Sequence, residues 1–153
     1  MRRTKAEAER TRQQLLDAAL RVFGRQGYDA TTLEDIAREA AVTRGAIYWH
    51  FKGKAELYQA LLAERQGPAA GVLATALAAD EPPLERLRAL ITRTITLLEE
   101  DASYRAAMEL TLFKTGAAPE LASALAKKVA GLRDLRQSLA DLIRAGELRR
   151  LKT

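Results

Sequence analysis

The segment Val42-Thr43-Arg44-Gly45-Ala46-Ile47-Tyr48-Trp49-His50-Phe51-Lys52 gathers a guanidinium, two hydroxyls, an imidazole, an indole and an ammonium in a short stretch. It holds no carboxylate. Asp and Glu are absent from all sixteen residues between Ala40 and Ala55, in a chain that has 20 acids among 153 residues. Cations and donors kept apart from acids suit one chemistry, the binding of a polyanion. A carboxylate on the same surface would repel each phosphate that the surface is meant to approach. A solvated helix face with no partner has no such reason to exclude acids.

Catalysis is a poor alternative. His50 is the only His, and a general base needs a nucleophile and an orienting acid that nothing nearby supplies. As a zinc ligand it has no partner at metal spacing, which leaves a phosphate hydrogen bond as its best role. Glu99-Glu100-Asp101 reads as a solvated helix end rather than an acid–base pair. With no Cys, disulfides, thiolate metal sites and thiol redox chemistry are excluded. The expectation is a protein with no catalytic residue, no metal and no cofactor.

The elements that must position these residues are helices. Leu15, Ala18, Ala19, Val22 and Phe23 recur at helical spacing between Ala6 and Gln26, and Gly27 is placed to end that helix in a left-handed conformation. Either Thr31 or Thr32 can cap a second helix, with Glu34 or Asp35 three residues on. Its apolar face is Leu33, Ile36, Ala37 and Ala40. A turn over Ala40–Val42 leads to Thr43, the cap of a short third helix ending near His50. Gly53 then caps a long fourth helix from Lys54. Two helices joined by a tight turn, the second short and free of acids, make a helix-turn-helix, whose second helix enters the major groove. A plain hairpin in a bundle core is the weaker reading, because a core helix would not present Arg, Tyr, Trp and His together.

On the third helix, Arg44 follows the cap, where it can reach guanine O6 and N7 as a bidentate donor. Thr43, Gly45 and Ala46 share that leading edge: small residues let the backbone approach, and a methyl such as that of Ala46 can touch thymine. Ile47 and Phe51, four apart, point inward with Val42. Trp49 either packs on sugar–phosphate or joins this region to the next, and both readings stand. Lys54 opens the fourth helix, whose free N–H groups also favour an anion.

Thr31-Thr32-Leu33-Glu34-Asp35-Ile36-Ala37, the Val42–Lys52 segment and Lys54-Ala55-Glu56-Leu57 together resemble the DNA-binding domain of the TetR/AcrR family of transcriptional repressors, in particular its multidrug-efflux regulators. The resemblance covers about residues 3–65. It implies that Thr43, Tyr48, His50 and Lys54 mostly contact phosphates, with Thr32 doing so from the second helix. The family usually has Gly in the turn where this chain has Ala41. If that residue is left-handed, Ala costs about 1 kcal/mol more than Gly.

Charge is consistent with this division. Residues 1–54 carry 11 Lys/Arg and 7 Asp/Glu; residues 55–153 carry 14 and 13, so most of the net +5 lies in the first third. A basic segment would also suit an anionic membrane, but the polar–aromatic third helix lacks the broad apolar face needed there. No signal-peptide apolar region follows the basic N-terminus, and the apolar run Ala69–Ala79 is too short to span a bilayer. A cytoplasmic protein without membrane attachment is expected.

Beyond residue 65 the pattern is generic. Gly67-Pro68 and Asp80-Glu81-Pro82-Pro83 mark helix ends or kinks. Leu84, Leu87, Ile91, Thr94, Ile95 and Leu98 line a fifth helix. Ser103 caps a sixth to Phe113, and Gly116 and Pro119 separate it from a seventh over 120–145 that Gly146 would end. In the seventh, Leu125, Leu132 and Leu139 repeat every seven residues, as do Leu135 and Leu142, giving a helix–helix seam. The expected fold is all-α with about seven helices. A helix-turn-helix domain occupies 1–53, and a helical ligand-binding and dimerisation domain occupies 54–153. The resemblance implies a double-stranded operator, a small-molecule effector and a homodimer. Pocket candidates are Tyr104, Met108, Leu112 and Phe113, because Met adapts to varied shapes and aromatics suit flat apolar compounds. The family ends in two further helices that pair across a two-fold axis. The sequence stops just after the seventh helix, so it reads as C-terminally short, with the leucine seam partly exposed.

Overall fold

The computed structural model describes residues 4–115 and 118–150, except for the side chains of 123–125, 127–129, 132 and 146–150. The described residues form seven α-helices: α1 (Lys5–Ala30), α2 (Leu33–Glu39), α3 (Arg44–Tyr48), α4 (Lys54–Ala78), α5 (Pro83–Glu100), α6 (Ala102–Phe113) and α7 (Ala122–Arg150), with a 3-10 turn at Pro119–Leu121 before α7. By internal contacts the chain forms two compact units. The first is Met1–Gln66 with Ser103–Leu121; the second is Gly67–Ala102 with Ala122–Thr153. The division expected after residue 53 falls inside the first unit, because Leu57, Tyr58 and Leu61 of α4 belong to that unit's core.

Capping chemistry sets the first three helices. Thr4 and Glu7 form a capping box at the start of α1, and Thr32 and Asp35 form another at the start of α2. Of the two threonines that could cap α2, Thr32 does so. Thr31 is buried, and its hydroxyl donates to the Gly27 carbonyl at 2.6 Å. Gly27 interrupts α1 with φ 78° and ψ 172°, a backbone region open in practice to glycine. Ala41 is left-handed at φ 53° in the turn between α2 and α3.

Leu15, Leu16, Ala18, Ala19, Val22 and Phe23 of α1 pack with Ile36, Ile47, Phe51, Leu57 and Leu61. Three aromatic rings join them. Tyr58 meets Phe23 and Tyr28 edge to face at 5.1 and 4.9 Å, and Phe23 stacks on Tyr28 at 5.7 Å. Glu39 takes both Arg21 and Arg25 at 2.7 Å, tying α2 to α1, and the two guanidiniums, Arg25 first, hold its carboxyl below the usual carboxylate range. The chain between α6 and α7 closes on the end of α1. The Tyr28 N–H donates to the Lys114 carbonyl at 3.0 Å, the Lys114 ammonium donates to the Gly24 carbonyl at 2.6 Å, and the Tyr28 hydroxyl donates to Glu120 at 3.1 Å. Burial first, then the Glu120 bond, raises the Tyr28 phenol pKa.

In the second unit α5 packs along α7. The end of α4 is capped by Arg86, whose guanidinium donates to the carbonyls of Ala76 and Leu77. The Gly67-Pro68 step lies inside α4, which runs on to Ala78, so of the two readings, helix end or kink, the end is excluded. α7 runs past Gly146 to Arg150, since one glycine inside a long helix costs only about 1 kcal/mol. The seam is partly open where its side chains are described: Leu135 and Leu139 are half-buried and Leu142 is buried. The side chains of Leu125 and Leu132, and Gly116 altogether, lie outside what is described.

Candidate nucleic-acid interface

A five-residue helix cannot hold itself in water, so the shape of α3 is imposed from outside it. The Thr43 hydroxyl accepts the Ala46 N–H at 3.2 Å. Left-handed Ala41 turns the chain, and the Val42 N–H returns to the Ala37 carbonyl at 3.0 Å. Ile47 and Phe51 are buried and Val42 is half-buried, as their spacing predicts. These inward anchors turn the opposite side of α3 to solvent.

Thr43, Arg44, Gly45, Tyr48 and Trp49 are exposed there, with Ala46 and His50 half-buried beside them. The indole of Trp49 is 87% exposed and Tyr48 is 50% exposed. Little of the indole therefore packs within the protein. Gly45 is informative for what it lacks. A Cβ placed on it would meet nothing closer than the Thr43 hydroxyl at 3.9 Å. Glycine in a helix costs about 1 kcal/mol relative to alanine, and no internal crowding demands it here.

Arg12 pairs with Glu64 at 2.7 Å, and Arg21 and Arg25 pair with Glu39 at the same distance. Arg44 differs. Its Nη2 donates to the neutral Tyr48 hydroxyl at 3.4 Å. That contact, with a weaker pull from Glu34, raises the guanidinium pKa; a hydroxyl partner brings no carboxylate charge to cancel that of the guanidinium.

Two expected contacts look different in three dimensions. The Lys54 ammonium turns inward, where it donates to the Tyr28 carbonyl at 3.0 Å and lies 4.3 Å from the centre of the Tyr28 ring. The end of α1 brings a carbonyl and an aromatic face within its reach. The Thr32 hydroxyl is engaged by the α2 capping box: it accepts the Asp35 N–H at 3.1 Å and donates to the Asp35 carboxylate at 2.7 Å. A residue missing from the expected set is Lys52. Its side chain is exposed beside His50, while its backbone N–H donates to Glu56 at 2.9 Å. The acid-free run already contained it.

The four pocket candidates do not converge. Tyr104 is buried and Met108 is half-buried, but Leu112 and Phe113 are 63% and 78% exposed. The side of α6 that is buried carries Tyr104, Ala107 and Leu110, three apart, which points Leu112 and Phe113 elsewhere. On α5, Glu85, Arg88, Thr92 and Arg93 line an open polar groove of about 290 Å³ with Glu81. Among the described residues no His/Cys/Asp/Glu group could hold a metal ion, and no helix is long and apolar enough to cross a membrane.

Residues 15–61, from the core of α1 through α3 into α4, match the family of bacterial regulatory proteins of the tetR type. SrpR, a helix-turn-helix transcriptional regulator of Pseudomonas putida, is 63% identical over 67 residues, covering 44% of this chain and 32% of its own length. TtgR, a regulator of the same description and also from Pseudomonas putida, is 37% identical over 153 aligned residues, covering 97% of this chain and 73% of its own. The chain thus spans about a third of SrpR. The crystal structure of NalD, the secondary repressor of the MexAB-OprM multidrug efflux pump in Pseudomonas aeruginosa, superposes with a TM-score of 0.78 at 31% identity over 95% of this chain and 72% of that one. A complex of SmeT with triclosan superposes with a TM-score of 0.73 at 32% identity, covering 90% and 66%. These relatives are regulators, not enzymes. With the helix-turn-helix set by the threonine caps of α2 and α3 and a relative matching nearly its whole length, the chain belongs to the tetR family of bacterial regulatory proteins.

Proposed function

We propose that this protein is a cytoplasmic, homodimeric transcriptional repressor that reads an operator with α3 and leaves it when a small apolar or cationic aromatic ligand binds. The observation that carries the DNA-binding part is the outward side of α3, where Arg44, Gly45, Tyr48 and Trp49 are exposed within an acid-free run. In this reading Arg44 contacts base edges, and Gly45 and Ala46 admit the backbone to the groove. Thr43, Tyr48, Trp49, His50 and Lys52 hold sugar–phosphate and set the register. Thr32 adds a contact from α2 only where its capping bonds leave an acceptor lone pair to a bridging water.

A single α3 reaches one half-site, and two half-sites a helical turn or more apart require a symmetric pair. The ligand part is supported by the triclosan complex of SmeT and by the exposed apolar residues Leu84, Ile91, Ile95 and Leu98 of α5. Release follows if ligand and operator favour different conformations; operator must then weaken ligand binding by the factor by which ligand weakens operator binding.

Selection of bound duplexes from a random pool, followed by titration of the selected and a scrambled duplex at matched salt, tests the reading. Arg44→Ala is expected to lose about 1–3 kcal/mol at one base position. Lys52→Ala is expected to weaken all duplexes alike and lower the salt slope by about one. Equal affinity of the unaltered protein for selected and scrambled duplexes would replace the operator-specific reading with non-specific architectural binding.

A further inference from the structure

We infer that Tyr48 is a positioning residue for Arg44, and that its hydroxyl, rather than acting only as a phosphate contact, sets how sharply α3 discriminates bases. The inference rests on the reading that α3 faces a DNA groove.

The geometry begins with spacing. Arg44 and Tyr48 are four apart on one helix, where side chains meet. The Arg44 Nη2 lies 3.4 Å from the Tyr48 hydroxyl oxygen, with the hydroxyl accepting. Both side chains are on the exposed side of α3. An arginine offers five N–H donors, and a bidentate pair to guanine uses two parallel ones. Holding the guanidinium through one N–H of Nη2 leaves enough donors for both.

The choice of partner matters. A carboxylate at this position, like Glu39 on Arg21 and Arg25, would hold the guanidinium more tightly and also cancel its charge. It would compete with phosphate and with the guanine edge. A phenol hydroxyl orients without neutralising. Tyrosine is also stiffer than arginine, with a rigid ring and two side-chain torsions. The loosely tethered guanidinium is thereby biased toward one direction before any DNA arrives, which reduces the ordering needed on binding. Because the hydroxyl accepts from Arg44, its own proton remains to donate outward. One side chain can then link base reading to backbone contact.

The test is a double-mutant cycle on the full chain with Arg44→Ala, Tyr48→Phe and the pair, measured on the preferred duplex and on duplexes altered at the base that Arg44→Ala identifies. Tyr48→Phe is expected to weaken the preferred duplex about 3- to 10-fold, the range of one net hydrogen bond. The altered duplexes should lose less than the preferred one, the salt slope should stay fixed, and Tyr48→Phe should cost less in the Arg44→Ala background, where only its backbone contact is left to lose. Equal loss on every duplex, additive with Arg44→Ala, makes Tyr48 an independent phosphate contact and overturns the inference. Side-chain ¹⁵N relaxation of Arg44 in the free protein gives a readout that needs no DNA. Tyr48→Phe should increase guanidinium motion, and unchanged motion also overturns it. A protein that shows the tether by relaxation yet binds all duplexes alike would remove the groove-reading role of α3 and, with it, the discriminating role of Tyr48, while the failed step would be the functional reading rather than the contact.

Discussion

Phe23 and Ile91 are both large apolar residues on long helices, yet Phe23 is completely buried in the first unit and Ile91 is 52% exposed in the second. The contrast extends to their neighbours. Around α3, Leu15, Leu16, Ile36, Ile47, Leu57 and Leu61 are sealed from solvent. On α5, Leu84, Ile91, Ile95 and Leu98 stay exposed while Leu90 is buried, and Ile143 of α7 is exposed although Leu142 beside it is not. Helix length explains why the two units can differ. The helices that bear the candidate interface have seven and five residues, too short for intrinsic stability, so tertiary packing must hold them. α5 and α7, at 18 and 29 residues, can keep their helical form with one side unburied. The candidate interface is built on the part of the chain whose shape is fixed by its core.

The sharpest way to break that contrast is Phe23→Ala. Its ring joins Tyr28 and Tyr58 in the aromatic cluster, and truncating a buried Phe costs about 3–5 kcal/mol. Denaturant unfolding should show a lowered midpoint, with operator affinity lost at temperatures where the unaltered protein still binds. A loss under about 1 kcal/mol would mean the core around α3 is loosely packed, well below the range for a buried aromatic, and the contrast between the units would collapse.

Gly27→Ala probes the joint at the end of α1. The residue sits at φ 78°, and an added Cβ would approach the Lys114 carbonyl oxygen to 3.4 Å. The backbone conformation alone is expected to cost about 1–3 kcal/mol. Loss of heat stability together with faster amide exchange at Tyr28, whose N–H donates to that carbonyl, would place the strain there. Ala41→Gly runs the other way. Relief of the left-handed Ala, φ 53°, should outweigh the added freedom of glycine in the unfolded chain and raise stability by up to about 1 kcal/mol. A lowered melting temperature in that variant would show that the methyl group is packed to advantage.

Much of the first unit could be read before any coordinates, because its signals are local. Thr32 with Asp35, Thr43 before a short helix, Gly27 after an apolar period and the Ile47–Phe51 spacing each depend on residues within one or two turns. What local signals leave out are contacts made by residues far apart in sequence. Nothing near Lys54 reveals that the Tyr28 carbonyl, 26 positions away, will receive its ammonium. The return of the Lys114–Leu121 region to α1 spans 90 positions between Gly24 and Lys114. Leu112 and Phe113 have the composition of a pocket, and only the rotation of α6 turns them outward. Generic apolar periodicity in α5 gave a helix but not the fraction of its surface that stays open.

Acid should act on the first unit through the carboxylates that tie its short helices. The Thr32 hydroxyl and backbone lower the Asp35 pKa below 3.8, and Arg25 and Arg21 lower that of Glu39 below 4.5. A carboxylate with a lowered folded-state pKa contributes stability above its unfolded value, and that contribution fades as pH falls through the folded value. Stability should therefore decline below about pH 4.5 by way of Glu39 and then Asp35. Both carboxylates are half-buried and reached by solvent, so the effect is small and screened by salt. Carboxyl titration by NMR should show the Asp35 pKa rising in Thr32→Ala while that of Glu39 stays put; an unmoved Asp35 would remove the capping box as the cause.

The smallest effect is expected where the second unit is most open. Ile91 and Ile95 lie four apart on one side of α5, each about half exposed, so Ile91→Gln with Ile95→Gln removes apolar atoms that already touch water. Gln is a better helix former than Ile by a few tenths of a kcal/mol, which offsets the loss of partial packing. Changes at exposed positions usually stay within about 0.5 kcal/mol. The double variant should therefore unfold at nearly the same denaturant concentration as the parent, bind operator equally well and stay soluble at higher concentration, since an exposed apolar stripe has been replaced by polar groups. A loss of about 2 kcal/mol or more, the size expected for buried rather than exposed side chains, would mean that the α5 stripe is covered in solution. Repeating the melt across a wide range of protein concentration then separates the sources. A midpoint that rises with concentration in the parent but not in the variant assigns the cover to another copy of the chain. A midpoint independent of concentration in both assigns it to packing within one chain, and the difference between the two units would be smaller than their exposed side chains indicate.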